Sequence, residues 1–217
     1  ILYYIMNHKT LKQYETPNTL EVGLDEAGRG CLLGPVCIAG VMWLQEDPNP
    51  ELVIRDSKKC SEKKRKELYS YIQEHSQCYS IQMIDNDTID EKNILQCAID
   101  GMHLCLDDIS KKQSFTKILV DGNHFNHYYS NTMDEFIPHT CVIKGDDVYK
   151  SIAAASILAK TYRDNYILQL VKDNPELEKY DIKNNKGYGT KKHMEAIKQY
   201  GITKWHRKTF APCKGYE

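Results

Sequence analysis

Apolar positions along the chain follow two spacings, one typical of strands and one typical of helices. Short runs of apolar and β-branched residues predict strands at residues 20–25, 36–44, 78–84, 117–121 and 140–143. Apolar residues at helical spacing, together with helix-capping residues such as Ser61, predict helices at about residues 61–77, 87–109, 149–171 and 191–200. Alanines 153, 154, 155 and 159 form a small-residue face that allows the third helix to pack closely on a sheet.

The order of these elements predicts an α/β fold. Helices alternate with strands after an initial strand pair, which places helices on the faces of a sheet and leaves a helical C-terminal extension. The connection between the first two strands is too short for a parallel crossover, so we expect a mixed sheet. We divide the chain into a lead-in at residues 1–19, a main α/β domain at residues 20–174 and a basic extension at residues 175–217.

Composition is that of a folded globular protein, but the charge is unevenly distributed. The 217 residues include 29 basic and 30 acidic side chains, and the net charge of −1 gives no support for a nucleic-acid partner. From residue 183 onwards, however, nine Lys or Arg residues face only two acids. This stretch is either a surface for a phosphate backbone or an ordinary solvated face.

Cysteine usage and hydropathy indicate the compartment. The eight cysteines contain no C-x-x-C pair and no zinc-finger spacing, so we interpret them as free thiols of a reducing, cytoplasmic protein. No apolar run is as long as a membrane span, and no signal-peptide pattern precedes the first strand. The chain begins with Ile1 rather than Met, and the position of the native start stays open.

Four acidic residues lie at the ends of predicted strands. Asp25 and Glu26 close the first strand, Asp121 ends the strand at 117–121, and Asp146 follows the strand at 140–143. Carboxylates from separate strand ends can converge, and such a set suits Mg²⁺ or Mn²⁺. Each acid is alternatively a turn former or a helix cap. Neighbouring strand residues face opposite ways, so Asp25 and Glu26 share a site only if the strand ends or twists between them.

The motifs around these acids resemble a known family. Residues 22–30 read VGLDEAGRG and residues 33–36 read LGPV, which closely resembles the first signature of the type 2 ribonucleases H. The blocks at residues 56–65, 120–123, 144–164, 186–193 and 206–212 resemble the later signatures in the same order. The resemblance therefore extends over nearly the whole chain, from about residue 21 to 214.

The resemblance implies a fold, an activity and a metal site. The implied fold is the ribonuclease H fold, with a five-stranded mixed sheet flanked by helices. The implied activity is endonucleolytic cleavage of the RNA strand of RNA–DNA hybrids, and cleavage 5′ of single ribonucleotides in duplex DNA, leaving 3′-hydroxyl and 5′-phosphate ends. Asp25, Glu26, Asp121 and Asp146 match the catalytic carboxylates, which would hold Mg²⁺ or Mn²⁺ in a two-metal site.

The resemblance also implies a set of substrate-binding residues: Gly28, Arg29, Gly30, Ser57, Lys58, Tyr188 and Thr190. The glycine loop would read the 2′-hydroxyl, Tyr188 would stack on the adjacent deoxyribose, and Lys58 and Thr190 would contact phosphate. Without the resemblance, these features are an ordinary turn, a structural ring and a helix start. The sequence departs from the family pattern at Asp147, where a small residue is usual, and at Gly189, where proline is usual.

Two other classes remain open at this point. The sister type 3 enzymes cut hybrids but act poorly at single ribonucleotides, and they lack the Gly-Arg-Gly loop. A non-catalytic nucleic-acid-binding scaffold would be expected to lose a carboxylate. We expect a monomer without a clamp-docking extension, and we leave three histidines, His124, His193 and His206, out of the core site.

Overall fold

The computed structural model describes residues 11–43, residue 54 and residues 61–216. Its strands are β1 (Glu21–Ala27), β2 (Val36–Met42), β3 (Cys78–Ile84), β4 (Lys117–Asp121), β5 (Tyr128–Ser130), β6 (Glu135–Ile137) and β7 (His139–Val142). Its helices are α1 (Glu62–His75), α2 (Asn86–Lys92), α3 (Ile94–Ser110), α4 (Lys150–Asp173), α5 (Ile182–Asn185) and α6 (Lys191–Tyr200). Ser57 and Lys58 lie outside the described residues, so their positions stay predictions.

The five-stranded mixed sheet predicted from the sequence is confirmed. Its strand order is β3-β2-β1-β4-β7, and β5 and β6 form a separate hairpin that the sequence patterns did not indicate. Strands β1, β4 and β7 run parallel to one another, with Leu24 paired to Val120 and Asp121 paired to Val142. Strand β2 runs antiparallel to both of its neighbours, β1 and β3. The carboxyl ends of β1, β4 and β7 therefore meet at one edge of the sheet.

Two helices cover the two faces of the sheet. Val22 and Leu24 of β1 pack in the core beneath α3, whereas Ala27 packs with the alanines of α4. Gly23 lies so close to α4 that an added Cβ would be 2.4 Å from the backbone nitrogen of Ile152. The small-residue face of α4 thus allows the close packing expected from the sequence, and Gly23 is its counterpart on the sheet.

One helix prediction was wrong. The apolar spacing over residues 87–109 indicated a single helix, but the structure has α2 and α3, separated at Asn93 with a φ of 75°. The Asn93 side chain accepts hydrogen bonds from the backbone of Leu95 and Gln96, which caps the start of α3. Asp85 caps α2 instead of the expected Asp87 or Asp90.

The described part of the lead-in is bonded to the main domain. The backbone of Lys12 accepts from Lys150 at 2.9 Å and donates to Val148 at 2.8 Å, beside the start of α4. The buried carboxylate of Glu21 accepts the backbone N–H groups of residues 15 and 16, both at 2.8 Å. The division of the chain at residues 19 and 174 stays a prediction.

The C-terminal extension has its own apolar cluster, which includes part of the main domain. Leu32 and Leu33 from the loop after β1 pack with Tyr180 and Ile197 of the extension. The seven cysteines in the described part of the chain are free, and five of them are buried. Within that same part, no helix combines the length and the apolar character needed to span a membrane.

The close contact between β1 and α4 yields a stability prediction. Gly23→Ala should lower the free energy of unfolding by about 3 kcal/mol, because the new methyl group meets helix backbone that cannot move aside. Gly40→Ala is the matched control, since its methyl group meets only side-chain atoms, 3.0–3.3 Å away. It should cost about 1 kcal/mol. Urea unfolding of both variants measures the difference, and equal losses would contradict the close-packing explanation.

Candidate active site

Strand register brings Asp25 and Asp121 next to each other. Leu24 pairs with Val120, and both pack towards α3, so the next residues on each strand point to the α4 face. Asp25 is 5% exposed and accepts the backbone N–H of Glu26 at 2.7 Å. Ser156 of α4 also hydrogen-bonds its carboxylate. The sheet and α4 together therefore determine the position of Asp25.

Electrostatic repulsion acts within this group. Burial, followed by the negative charges of Glu26 and Asp121, raises the pKa of Asp25 well above its ordinary value of 3.8. A buried carboxyl with two acidic neighbours is costly to ionise, and a bound cation would relieve that cost.

Asp146 is connected to Asp121 through the backbone. It lies in the 3-10 turn Gly145–Asp147, just before α4, and is 5% exposed. The N–H of Gly145 donates to Oδ1 of Asp121 at 2.7 Å. Lys144, with a φ of 56°, turns the chain from β7 into this position. The structure thus places three of the four predicted acids at the edge where the parallel strands end.

Glu26 lies beside Asp25, but on the other face of β1. Strand β1 continues through Ala27, so Glu26 faces the α3 side while Asp25 faces α4. It lines a small cavity with Asp121 and His124, and Oε1 of Glu26 lies 3.2 Å from Nη1 of Arg29. Strand β1 does not end between the two acids, yet the charge of Glu26 acts on Asp25 and Glu26 shares a cavity with Asp121, so the shared site stays a prediction.

The donor set fits a hard divalent cation in its chemistry. All four predicted ligands are carboxylates, and carboxylate oxygens suit Mg²⁺ and Mn²⁺. The mutual repulsion around Asp25 is a second feature that a cation would compensate. Among the residues that the structure describes, no three His, Cys, Asp or Glu side chains are close enough to hold one ion together.

Arg207, a member of the basic C-terminal stretch, is buried beneath the glycine loop. Its guanidinium donates to the carbonyls of Gly28 at 2.8 Å, Arg29 at 2.9 Å and Gly34 at 2.9 Å. Burial lowers its pKa to about 10. Arg207 therefore organises the loop from below, and it does not belong to a phosphate-facing surface.

Arg163 of α4 holds residues 33–35, which follow the glycine loop. Its guanidinium donates to the carbonyls of Pro35 at 2.8 Å, Leu33 at 3.0 Å and Lys186 at 2.8 Å. Both guanidinium groups are fully buried. The sequence blocks contain both arginines, but nothing in the sequence distinguishes a buried arginine from an exposed one.

Tyr188 lies beside the glycine loop. Cys31 and Tyr188 form an antiparallel bridge, and the N–H of Leu32 donates to the carbonyl of Gly187 at 2.8 Å. The Tyr188 ring is 39% exposed, with Nζ of Lys160 at 5.3 Å from its centroid. Burial raises the pKa of its hydroxyl to about 12. The C-terminal extension thus folds back over the glycine loop, as it must if Tyr188 and the loop are to contact the same substrate.

Arg29 and Thr190 are exposed. Arg29 presents about half of its side chain to solvent, at 51%. Thr190 is the N-cap of α6, where its hydroxyl accepts the N–H of His193. Sequence reasoning did not single out Ser156, Lys160, Arg163 and Arg207 as positioning residues, since their roles arise only from tertiary contacts.

The fold is that of the ribonucleases H. The ribonuclease H2 of Pyrococcus horikoshii OT3 superimposes with a TM-score of 0.72 at 23% identity, covering 89% of this chain and 94% of that one. Bst-RNase HIII, solved in complex with Mn²⁺, has a TM-score of 0.67 at 19% identity, covering 92% of this chain and 69% of that chain. These likenesses establish the architecture.

The family follows from sequence comparison. The ribonuclease HII family model matches residues 22–213. The chain is 45% identical over 200 residues to the ribonuclease HII of Bacteroides thetaiotaomicron, covering 92% of this chain and 94% of that protein. The chain belongs to the ribonuclease HII family, which confirms the resemblance found in its motifs. It is a ribonuclease H, an endonuclease of RNA–DNA hybrids.

The glycine loop generates a second prediction. Gly28 has a φ of +89°, and an added Cβ would lie 2.0 Å from Nε of Arg163, whereas nothing lies within 4 Å of a Cβ at Gly30. Gly28→Ala should therefore destabilise the protein by about 2 kcal/mol or more. Gly30→Ala should stay within about 0.5 kcal/mol of wild type. Thermal unfolding compares the two, and a stable Gly28→Ala protein would contradict the close contact with Arg163.

Proposed function

We propose that Asp25, Glu26, Asp121 and Asp146 are the catalytic carboxylates and the ligands of Mg²⁺ or Mn²⁺. The observation that carries this proposal is the meeting of Asp25, Asp121 and the Asp146 turn where three parallel strands end. Such ions, when bound, would supply activation of water and stabilisation of the charge that develops on the phosphate. The Mn²⁺ complex of the structurally similar Bst-RNase HIII supports this choice of metal.

The protein prepares this site by fixing the carboxylates before a metal binds. Ser156 and the N–H of Glu26 orient Asp25, and the N–H of Gly145 orients Asp121. Preorganised ligands reduce the reorganisation that metal and substrate binding would otherwise require. Glu26 reaches the same edge from the opposite face of β1, so it would approach the ions from the α3 side.

We also propose that the enzyme cuts duplex DNA 5′ of a single ribonucleotide. The loop at residues 28–30 directly follows Asp25 and Glu26, so a ribose read by this loop lies close to the carboxylates. Arg207 engages the carbonyls of Gly28 and Arg29. We therefore assign the loop's peptide N–H groups as donors to the 2′-hydroxyl, the group that distinguishes RNA from DNA.

In this proposal Tyr188 reads the next sugar. Its half-exposed ring lies beside the loop, where it would pack against a deoxyribose and be crowded by a second 2′-hydroxyl. Lys58 and Thr190 would contact phosphates, Ser57 would be a further substrate-binding residue, and the exposed lysines of the extension would add sequence-independent attraction. The protein would act as a monomer on hybrid and ribonucleotide-containing duplexes.

The central assignment is tested by Asp25→Asn. Turnover of an RNA–DNA hybrid with Mg²⁺ or Mn²⁺ should fall by far more than tenfold, the factor that corresponds to about 1.4 kcal/mol. Metal-free thermal stability should stay equal or rise, because the substitution removes a buried charge with two acidic neighbours.

Asp173→Asn, at the far end of α4, is the control and should leave turnover unchanged. Excess chelator should abolish cleavage by wild type, and added Mg²⁺ should restore it. An Asp25→Asn enzyme that keeps a tenth of wild-type turnover would refute the assignment.

Substrate choice is tested with three labelled duplexes: all-DNA, RNA–DNA hybrid, and DNA with one ribonucleotide. Wild type should cut the last two, and the single-ribonucleotide product should end 5′ of the ribose. Tyr188→Ala should reduce cleavage at the single ribonucleotide about tenfold more than cleavage of the hybrid, in line with the ~1–3 kcal/mol of an aromatic stacking contact.

Tyr166→Ala is the matched control, since Tyr166 is 37% exposed on α4 and Tyr188 is 39% exposed. Its cleavage of both substrates should equal that of wild type. Equal losses on the two substrates in Tyr188→Ala would make Tyr188 a general packing residue. Robust hybrid cleavage without any cut at the single ribonucleotide would remove that activity from the proposal.

A further inference from the structure

Two histidines form a buried pair behind Tyr188. His193 of α6 and His206 are both fully buried, and their Nε2 atoms are 3.1 Å apart. Nδ1 of His193 is 3.0 Å from the carbonyl of Tyr188, and Nδ1 of His206 is 2.9 Å from the backbone nitrogen of Thr203. The four groups form one continuous chain of hydrogen bonds.

Only one arrangement of protons satisfies this chain. The backbone N–H of Thr203 can only donate, so Nδ1 of His206 accepts and the proton of that ring is on Nε2; the Thr203 hydroxyl, 2.9 Å from the same Nδ1, is then a second donor to it. Nε2 of His206 then donates to Nε2 of His193, which must accept. The proton of His193 is consequently on Nδ1, where it donates to the carbonyl of Tyr188. Both rings are neutral, and each tautomer determines the next.

The surroundings keep the pair neutral. A proton added to either ring would place two N–H groups against each other at 3.1 Å. Burial, followed by repulsion from the charge that His193 would carry if protonated, lowers the pKa of His206 to about 4, and burial also lowers the pKa of His193. The neutral ring of Tyr180 packs edge-on against both imidazoles. The pair therefore supplies no charge to the substrate.

The pair connects two segments that border the proposed ribose site. His206 forms an antiparallel bridge with Leu33, at the far end of the glycine loop, while His193 holds the backbone of Tyr188. We propose that His193 and His206 are positioning residues that fix Tyr188 beside the loop and thereby set the preference for a single ribonucleotide. This inference rests on the proposed role of Tyr188 in reading the adjacent sugar.

Two substitutions of His193 separate positioning from simple structural support. An asparagine amide nitrogen can take the place of Nδ1 and keep the bond to the Tyr188 carbonyl, but it cannot reach His206. A glutamine amide can take the place of Nε2 and keep the bond to His206, but it cannot reach Tyr188. Each variant loses one of the two buried hydrogen bonds, so both should lower the melting temperature by similar amounts.

Their effects on selectivity should differ. The readout is kcat/KM at a single ribonucleotide divided by kcat/KM on a hybrid. His193→Gln should lower this ratio about fivefold, the factor that corresponds to one hydrogen bond of about 1 kcal/mol. His193→Asn should keep the ratio within about twofold of wild type. Equal ratios in the two variants, at similar stability, would overturn the positioning role.

Tyr188→Ala, measured in the same assay, distinguishes failure of this inference from failure of the proposed function. If Tyr188→Ala leaves the ratio unchanged, the role of Tyr188 fails and the inference fails with it. If Tyr188→Ala lowers the ratio and His193→Gln does not, only the positioning inference fails.

Nitrogen-15 NMR of the wild-type imidazoles provides a test that does not depend on folding of the variants. It should show the proton on Nδ1 of His193 and on Nε2 of His206, unchanged between about pH 8 and pH 6, since both pKa values are lowered below the ordinary 6.5. The opposite tautomers, or protonation near pH 6.5, would overturn the proposed chain of hydrogen bonds.

Discussion

The arrangement of the substrate-facing half depends on two buried guanidinium groups. Burying a charged group is costly unless its hydrogen-bonding groups are satisfied. Arg163 and Arg207 each make three bonds to backbone carbonyls, and five of the six acceptors belong to residues 28–35. The loop is therefore held open as a rigid surface, and Gly28 is required because Arg163 occupies the space of a side chain.

At the carboxylate site the sheet holds like charges together, whereas the two guanidinium groups are held by favourable hydrogen bonds. Parallel pairing of β1, β4 and β7 brings acids together at one edge, although their charges repel. Close packing of α4 on Gly23 and the hydrogen bond from Gly145 to Asp121 resist that repulsion. The fold thus holds like charges in proximity, and a divalent cation is the partner that would turn this cost into binding energy.

The spacing of apolar residues and the helix-capping signals predicted the strands and helices better than the functional site. The bounds of β3, β4 and α6 agree with the sequence, because their spacing is regular and their ends carry clear signals. The break at Asn93 was missed because apolar spacing continues across it. Arg207 looked like part of a basic surface, since burial of an arginine depends on distant carbonyls. The roles of Ser57 and Lys58 stay predictions, as they lie outside the described residues.

Recognition of a single ribonucleotide would need two contacts at once, one with the ribose and one with the sugar that follows it. The loop after β1 and Tyr188 are far apart in sequence, so neither motif can supply the selectivity alone. Arg163 bonds both segments, through Leu33 and Lys186, and the bridge between Cys31 and Tyr188 adds backbone contact. The distance between the loop and Tyr188 is thus set by buried polar contacts. Selectivity in this protein would then be a property of tertiary packing, and a substitution beneath the surface could change substrate preference without touching the carboxylates.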